Sequence, residues 1–157
     1  MPSVPPLTPL AAAALDVGVP ERILQIECGE GDGVLFLARE FPSARIRGVD
    51  RSENAVRHAT ARVGLDPEGR VAFRRGAPAS LPFPTDHFDL VVAFDARPRV
   101  RETARVLRRS GFLALVQTVG PEPAPGLAGR FLRWRLSQAG FEQVSARAAG
   151  AGGFAVF

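Results

Sequence analysis

Two hydrophobic patterns alternate along this chain. Short apolar runs are separated by stretches in which apolar residues recur at every third or fourth position. Ile23 to Ile26 is the first run and predicts a buried strand. Val34, Leu35, Ala38 and Phe41 then fall on one helical face, and Pro42 stops that helix. Arg45 to Val49 predicts a second strand. Ser52 is placed to cap the next helix, with Glu53 near its positive end. Ala55, Val56, Ala59 and Val63 form the inner face of that helix, and Gly64 suits its stop. Val71 to Phe73 predicts a short third strand, followed by a rigid Leu81-Pro82-Phe83-Pro84 connector.

The alternation continues through Phe88 to Ala93, a strongly apolar fourth strand. A helix from Arg101 to Leu107 follows, with Val100, Ala104 and Leu107 inward, and then a fifth strand from Gly111 to Val116. Pro121 to Gly126 is a loop, because three prolines exclude helix and central strand. Leu127 to Ala139 predicts a last helix, ended by Gly140. Phe141 to Ala146 and Phe154 to Phe157 predict two closing strands around a Gly150–Gly153 hairpin turn. Strands alternating with helices imply an α/β fold with a doubly wound, mostly parallel seven-stranded sheet and helices on both faces. The last pair of strands implies one antiparallel edge strand. Residues 1–20 read as a proline-rich lead and short helix, and 21–157 as a single domain.

The chemistry concentrates at the first strand-to-helix turn. Glu27 ends the first strand, and Gly29, Gly31 and Gly33 follow at every second position. The glycines serve either a tight turn or a ligand lying against bare backbone. Asp50 ends the second strand, either as a solvated terminus or as a carboxylate accepting hydrogen bonds from ribose hydroxyls. A nicotinamide dinucleotide would call for G-x-G-x-x-G, or Ala in the last place, and here Val34 follows Gly33.

Composition narrows the partners. All 20 basic residues are arginine, and neither lysine nor tyrosine occurs. This is the mark of a GC-rich genome, so a pI near 11.0 overstates the case for an anionic partner. A net charge of +4 without aromatic interleaving argues against nucleic acid. A single cysteine, Cys28, excludes an internal disulfide and a cysteine-based metal cluster, and no metal site is expected. No apolar run reaches the roughly 20 residues of a membrane span. A cytoplasmic location is the simplest expectation.

Four segments, spanning residue 23 to about 116, resemble the class I S-adenosylmethionine-dependent methyltransferases, in particular their small-molecule branch. Glu27-Cys28-Gly29-Glu30-Gly31-Asp32-Gly33 looks like the glycine-rich loop. Gly48-Val49-Asp50-Arg51-Ser52 looks like the acidic strand end. Leu81-Pro82-Phe83 with Phe88-Asp89-Leu90-Val91-Val92 looks like the fourth-strand motif. Arg101 to Gly111 looks like the helix and turn before the fifth strand. The resemblance implies a Rossmann-like fold, S-adenosylmethionine as cofactor, S-adenosylhomocysteine as product and methyl transfer to a small molecule. It implies a cofactor site of Glu27, Gly29, Gly31, Gly33, Asp50, Arg51, Ala77, Pro78 and Phe94. Glu27 would hold the cofactor's ammonium, and Arg51 would stack on the adenine or face solvent.

Two departures from the family pattern stand out. Ala77 occupies the slot of an aspartate that accepts the adenine amino hydrogen. Only Ala93 to Val100 links the fourth strand to the next helix, where relatives carry a longer stretch. These departures motivate an alternative: a catalytically reduced module that binds cofactor or a partner protein. They also leave room for a homodimer or partner that completes the site. Asp95, just past the fourth strand, is the candidate catalytic group, either facing substrate or serving as a helix N-terminal carboxylate. His58 and His87 are expected in solvent and Cys28 packed. Arg97, Arg101, Arg105 and Arg108/Arg109 read as a solvated helix face, or else as an anionic-substrate or RNA surface.

Overall fold

The computed structural model describes residues 16–117, 130–149 and 152–157. Its strands are β1 (Arg22–Ile26), β2 (Arg45–Asp50), β3 (Val71–Arg75), β4 (Phe88–Phe94), β5 (Leu107–Gln117), β6 (Ser145–Ala149) and β7 (Gly152–Val156). Its helices are α1 (Asp32–Glu40), α2 (Glu53–Val63), α3 (Val100–Val106) and α4 (Arg130–Gln138). The expected N-terminal helix, the proline-rich loop, the start of the last helix and the centre of the glycine turn lie outside the described residues.

The seven strands form one sheet in the order β3-β2-β1-β4-β5-β7-β6. Neighbours from β3 through β5 are parallel, and β7 runs antiparallel to both β5 and β6, giving the expected antiparallel edge. Each central strand is apolar on both faces because both faces are covered. Ile23, Ile46, Leu90, Val92, Ala114 and Val116 pack with Val34, Leu37 and Ala38 of α1 on one side. Leu24, Ile26, Val91, Ala93, Leu113 and Leu115 pack with Val100 and Val106 of α3 and Leu136 of α4 on the other. The two sets alternate residue by residue, the period that a strand imposes.

Local chemistry bounds some elements where the sequence indicates and shifts others. The Ser52 side chain accepts from the Ala55 amide at 3.2 Å and caps α2. Of the four apolar residues expected on the inner face of α2, only Ala59 is fully buried. The expected strand at Phe141 to Ala146 begins only at Ser145. The Phe141 amide instead closes α4 by donating to the Leu136 carbonyl at 3.0 Å, behind Gly140 at φ 91°. β5 starts earlier than expected, at Leu107, and its pairing with β4 slips between Phe88 and Leu90. Ser110, at φ 66°, lies in the resulting bulge.

Strand order reverses between β1 and β4, since β2 and β3 lie to one side and β5 to the other. A crevice forms at such a switch point, beyond the carboxyl ends of the strands. The chain therefore directs Glu27, which follows β1, and Asp95, which follows β4, to the same crevice. Both carry a backbone φ of 50°, which is uncommon outside glycine.

Candidate functional site at the sheet switch point

The glycine turn is stitched to the end of β2. The Gly29 amide donates to Asp50 Oδ2 at 2.9 Å, and the Ser52 amide donates to Oδ1 at 2.9 Å. The Cys28 amide donates to the Val49 carbonyl at 3.0 Å. Each Asp50 oxygen thus has one backbone donor and keeps a lone pair for a further one.

The three glycines do different work. Gly29 has φ 54°, and a Cβ there would meet no atom within 4 Å, so this part of the turn faces open space. Gly31 has φ 91° and lets the turn pass Phe73, whose Cζ would lie 2.9 Å from a Cβ. Gly33 lets α1 pack on β1, since a Cβ would sit 2.4 Å from Oε1 of the buried Gln25. Gly31 is also the N-cap of α1 and has no side-chain cap, which leaves first-turn amides for a ligand.

Arg51 Nη2 lies 3.3 Å from Glu27 Oε1, an exposed ion pair that joins the ends of β1 and β2. Glu27, Arg51 and the buried Pro78 line a cavity of about 620 Å³ together with Arg97, Pro98, Arg99, Arg130, Phe131, Leu132 and Arg135. A smaller hollow of about 240 Å³ adjoins it, sharing Arg97, Pro98 and Leu132 and reaching Asp95 and Gln117. The Asp95 amide is held by the Val116 carbonyl at 2.8 Å, which anchors the turn after β4 to β5. Ala77 is exposed and closes a small turn by accepting from the Ser80 amide at 3.0 Å. Phe94 is half-buried against the α1-side core.

Residues 23–111 match the methyltransferase domain family. The chain belongs to the class I S-adenosylmethionine-dependent methyltransferases. The cofactor that goes with this family and fold is S-adenosylmethionine. Methyltransferase GfsG of Streptomyces halstedii is 36% identical over 115 residues, covering 67% of this chain and 40% of that protein. A fatty-acid O-methyltransferase of Mycolicibacterium smegmatis is 32% identical over 99 residues, covering 59% of this chain and 35% of that protein. The chain thus spans less than half the length of these curated relatives. An S-adenosylmethionine-dependent methyltransferase from Aquifex aeolicus has the same fold, with a TM-score of 0.75 over 96% of this chain and 88% of that one at 19% identity.

Several expectations for this methyltransferase domain need correction. His87 is half-buried with its ring edge-on to Phe88 at 4.8 Å, and burial lowers its pKa below the ordinary histidine value. Arg105 is not on a solvated face: it pairs with Glu102 and donates to the Phe83 and Leu81 carbonyls at 2.9 and 3.1 Å. Arg108 lies in β5 and pairs with Asp89 at 3.0 Å. Helical spacing misleads here because α3 ends at Val106. His58 is exposed as expected, 3.6 Å from Glu30. Cys28 is packed as expected, and burial, reinforced by the charge on Asp50, pushes its thiol up to about 12. Among the described residues no cluster is arranged to hold a metal ion, and no helix is long and apolar enough to cross a membrane.

The place of Arg99 at the cavity, and of α4, which brings Arg130, Phe131 and Arg135 to it, is not evident from the sequence. One signal was present. Phe131 and Trp134 are large apolar residues on a helix otherwise rich in arginine, and they are 70% and 58% exposed.

Proposed function

We propose that this domain transfers a methyl group from S-adenosylmethionine to a small-molecule acceptor. The observation that carries the reading is the open glycine turn flanked by Glu27 and Asp50 at the switch point. The bare face of Gly29 is where a ligand can lie on the backbone. Asp50, already oriented by two amides, has acceptor capacity for both ribose hydroxyls. Glu27 takes the ammonium, exchanging the exposed Arg51 pair for it, and the uncapped first turn of α1 takes the carboxylate. Arg51, once released, and Pro78 border the adenine, with Ala77 and Phe94 nearby. Ala77 provides no side-chain acceptor for the adenine amine, which costs about 0.5–1.5 kcal/mol and leaves binding intact.

When bound, the sulfonium gives its methyl to an oxygen, nitrogen or carbon nucleophile and leaves as the neutral thioether of S-adenosylhomocysteine. The chain's task is to align the acceptor in the hollow beside Asp95. Asp95 orients a neutral nucleophile and takes the proton it loses. The relative named for a fatty acid supports a small-molecule acceptor class. A cytoplasmic setting accords with the absence of a membrane-crossing helix among the described residues. Residues 21–157 act as one domain, and a second copy or another protein completes the site beside the short link after β4.

The test is S-adenosylhomocysteine formation by the protein over a panel of hydroxy, carboxy and amino acceptors. Turnover that falls in Asp95→Asn supports the assignment. A folded protein that binds the cofactor yet methylates nothing would favour the catalytically reduced alternative.

A further inference from the structure

The 620 Å³ cavity is lined on one side by the cofactor residues Glu27, Arg51 and Pro78, and beyond Arg51 by four more arginines: Arg97, Arg99, Arg130 and Arg135. Two carboxylates are close by. Glu27 is already engaged by Arg51, and Asp95 belongs to the adjoining hollow. Arg97, Arg99 and Arg130 have no carboxylate partner among the described residues. The guanidinium of Arg135 rests over the Phe131 ring, 5.8 Å from its centroid. By contrast, Arg62, Arg105 and Arg108 each pair with an acidic side chain. Guanidiniums that line one cavity without carboxylate partners among the described residues repel one another, and a sulfonium beside them would add to the positive potential. The arrangement is favourable when an anion occupies the cavity, and the guanidinium fork suits carboxylate and phosphate oxygens.

The same wall has an apolar part. Phe131 and Leu132 line the cavity, and Phe131 stacks with Trp134 at 6.0 Å and 27°. We propose that the acceptor is an amphipathic oxyanion, a carboxylate or phosphate carried on an apolar body. The anion is held by Arg97, Arg99 and Arg130, and the body lies against Phe131 and Leu132. This rests on the methyltransferase reading and specifies its substrate class. The oxyanion is a recognition group, and it need not be the atom that is methylated.

Trp134 is the only tryptophan and reports from beside the cavity. Protein saturated with S-adenosylhomocysteine is titrated with octanoate, octyl phosphate and octanol, by calorimetry and by Trp134 fluorescence. Octanoate or octyl phosphate should bind about tenfold or more tighter than octanol. In R97Q/R130Q that preference should fall below roughly threefold, while S-adenosylhomocysteine affinity and the urea midpoint are retained. R101Q/R109Q, which removes two exposed arginines that do not line the cavity, should preserve the preference. The stronger of the two anions identifies the oxyanion. Equal binding of octanol and the anions by wild type overturns the proposal. So does a preference that survives R97Q/R130Q, or one that R101Q/R109Q removes equally. Failure of wild type to bind S-adenosylhomocysteine overturns the underlying reading instead.

Discussion

Asp50 is where fold and function can be separated by experiment. Asp50→Ala removes an acceptor from the Gly29 amide, which is part-buried, and from the Ser52 amide, which is exposed. Water replaces the second bond at little cost, so the stability loss should come mainly from Gly29, at about 1–3 kcal/mol. If Asp50 also accepts both ribose hydroxyls, each charge-assisted bond is worth about 1.5–3 kcal/mol, and the variant should lose at least ~100-fold in affinity for S-adenosylhomocysteine. Asp50→Asn keeps one oxygen. Its cheapest placement sets that oxygen on Gly29 and turns the amide NH2 toward Ser52, where solvent relieves the clash. Asn should therefore bind more weakly than wild type by roughly tenfold, and more tightly than Ala. The assay is calorimetric titration with S-adenosylhomocysteine, with urea unfolding of the same preparations. An Asp50→Ala protein that is destabilised but keeps its affinity within about threefold would make Asp50 a brace for the loop alone, with no part in holding the ribose.

Three further outcomes are expected. Gly33→Ala should destabilise by about 1–3 kcal/mol, because its Cβ would lie 2.4 Å from Oε1 of Gln25, and Gln25→Ala should recover part of that loss in a double-variant cycle; strict additivity would contradict the contact. Glu102, whose pKa is lowered by the hydrogen bond from Arg105 and by the Leu81 amide against the opposing effect of burial, contributes stability above the ordinary glutamate range that is lost as pH falls through its folded value. The stability gap between wild type and Glu102→Gln should accordingly shrink in acid, and a gap independent of pH would count against the assignment. Cys28, with its thiol pushed up to about 12, should react with iodoacetamide at pH 8 about a thousandfold more slowly in the native protein than in urea, and comparable rates would mean the thiol is not sequestered.

The strands and helices of the first half of the chain were legible because two-sided burial leaves unbroken apolar runs and because Pro42, Ser52 and Gly64 punctuate them. Glu27, Asp50 and Asp95 were legible as strand-end carboxylates for the same reason. What the sequence concealed was tertiary. Arginine spacing around α3 suggested one solvated face, yet the helix ends at Val106, Arg108 turns to Asp89, and Arg105 ties the Leu81–Phe83 connector to the helix. The arginine wall joins Arg51 after β2, Arg97 and Arg99 after β4, and Arg130 and Arg135 on α4. Residues that far apart in the chain carry no local pattern, and only the fold brings them to one cavity. Likewise Phe141 reads as strand by its apolar character, but its amide is needed to close α4.

Calorimetric titration of the wild-type protein with S-adenosylhomocysteine asks directly whether the switch-point turn holds S-adenosylmethionine. Saturable one-to-one binding with a Kd of roughly micromolar order is expected. A folded protein that shows no binding at millimolar ligand would contradict it.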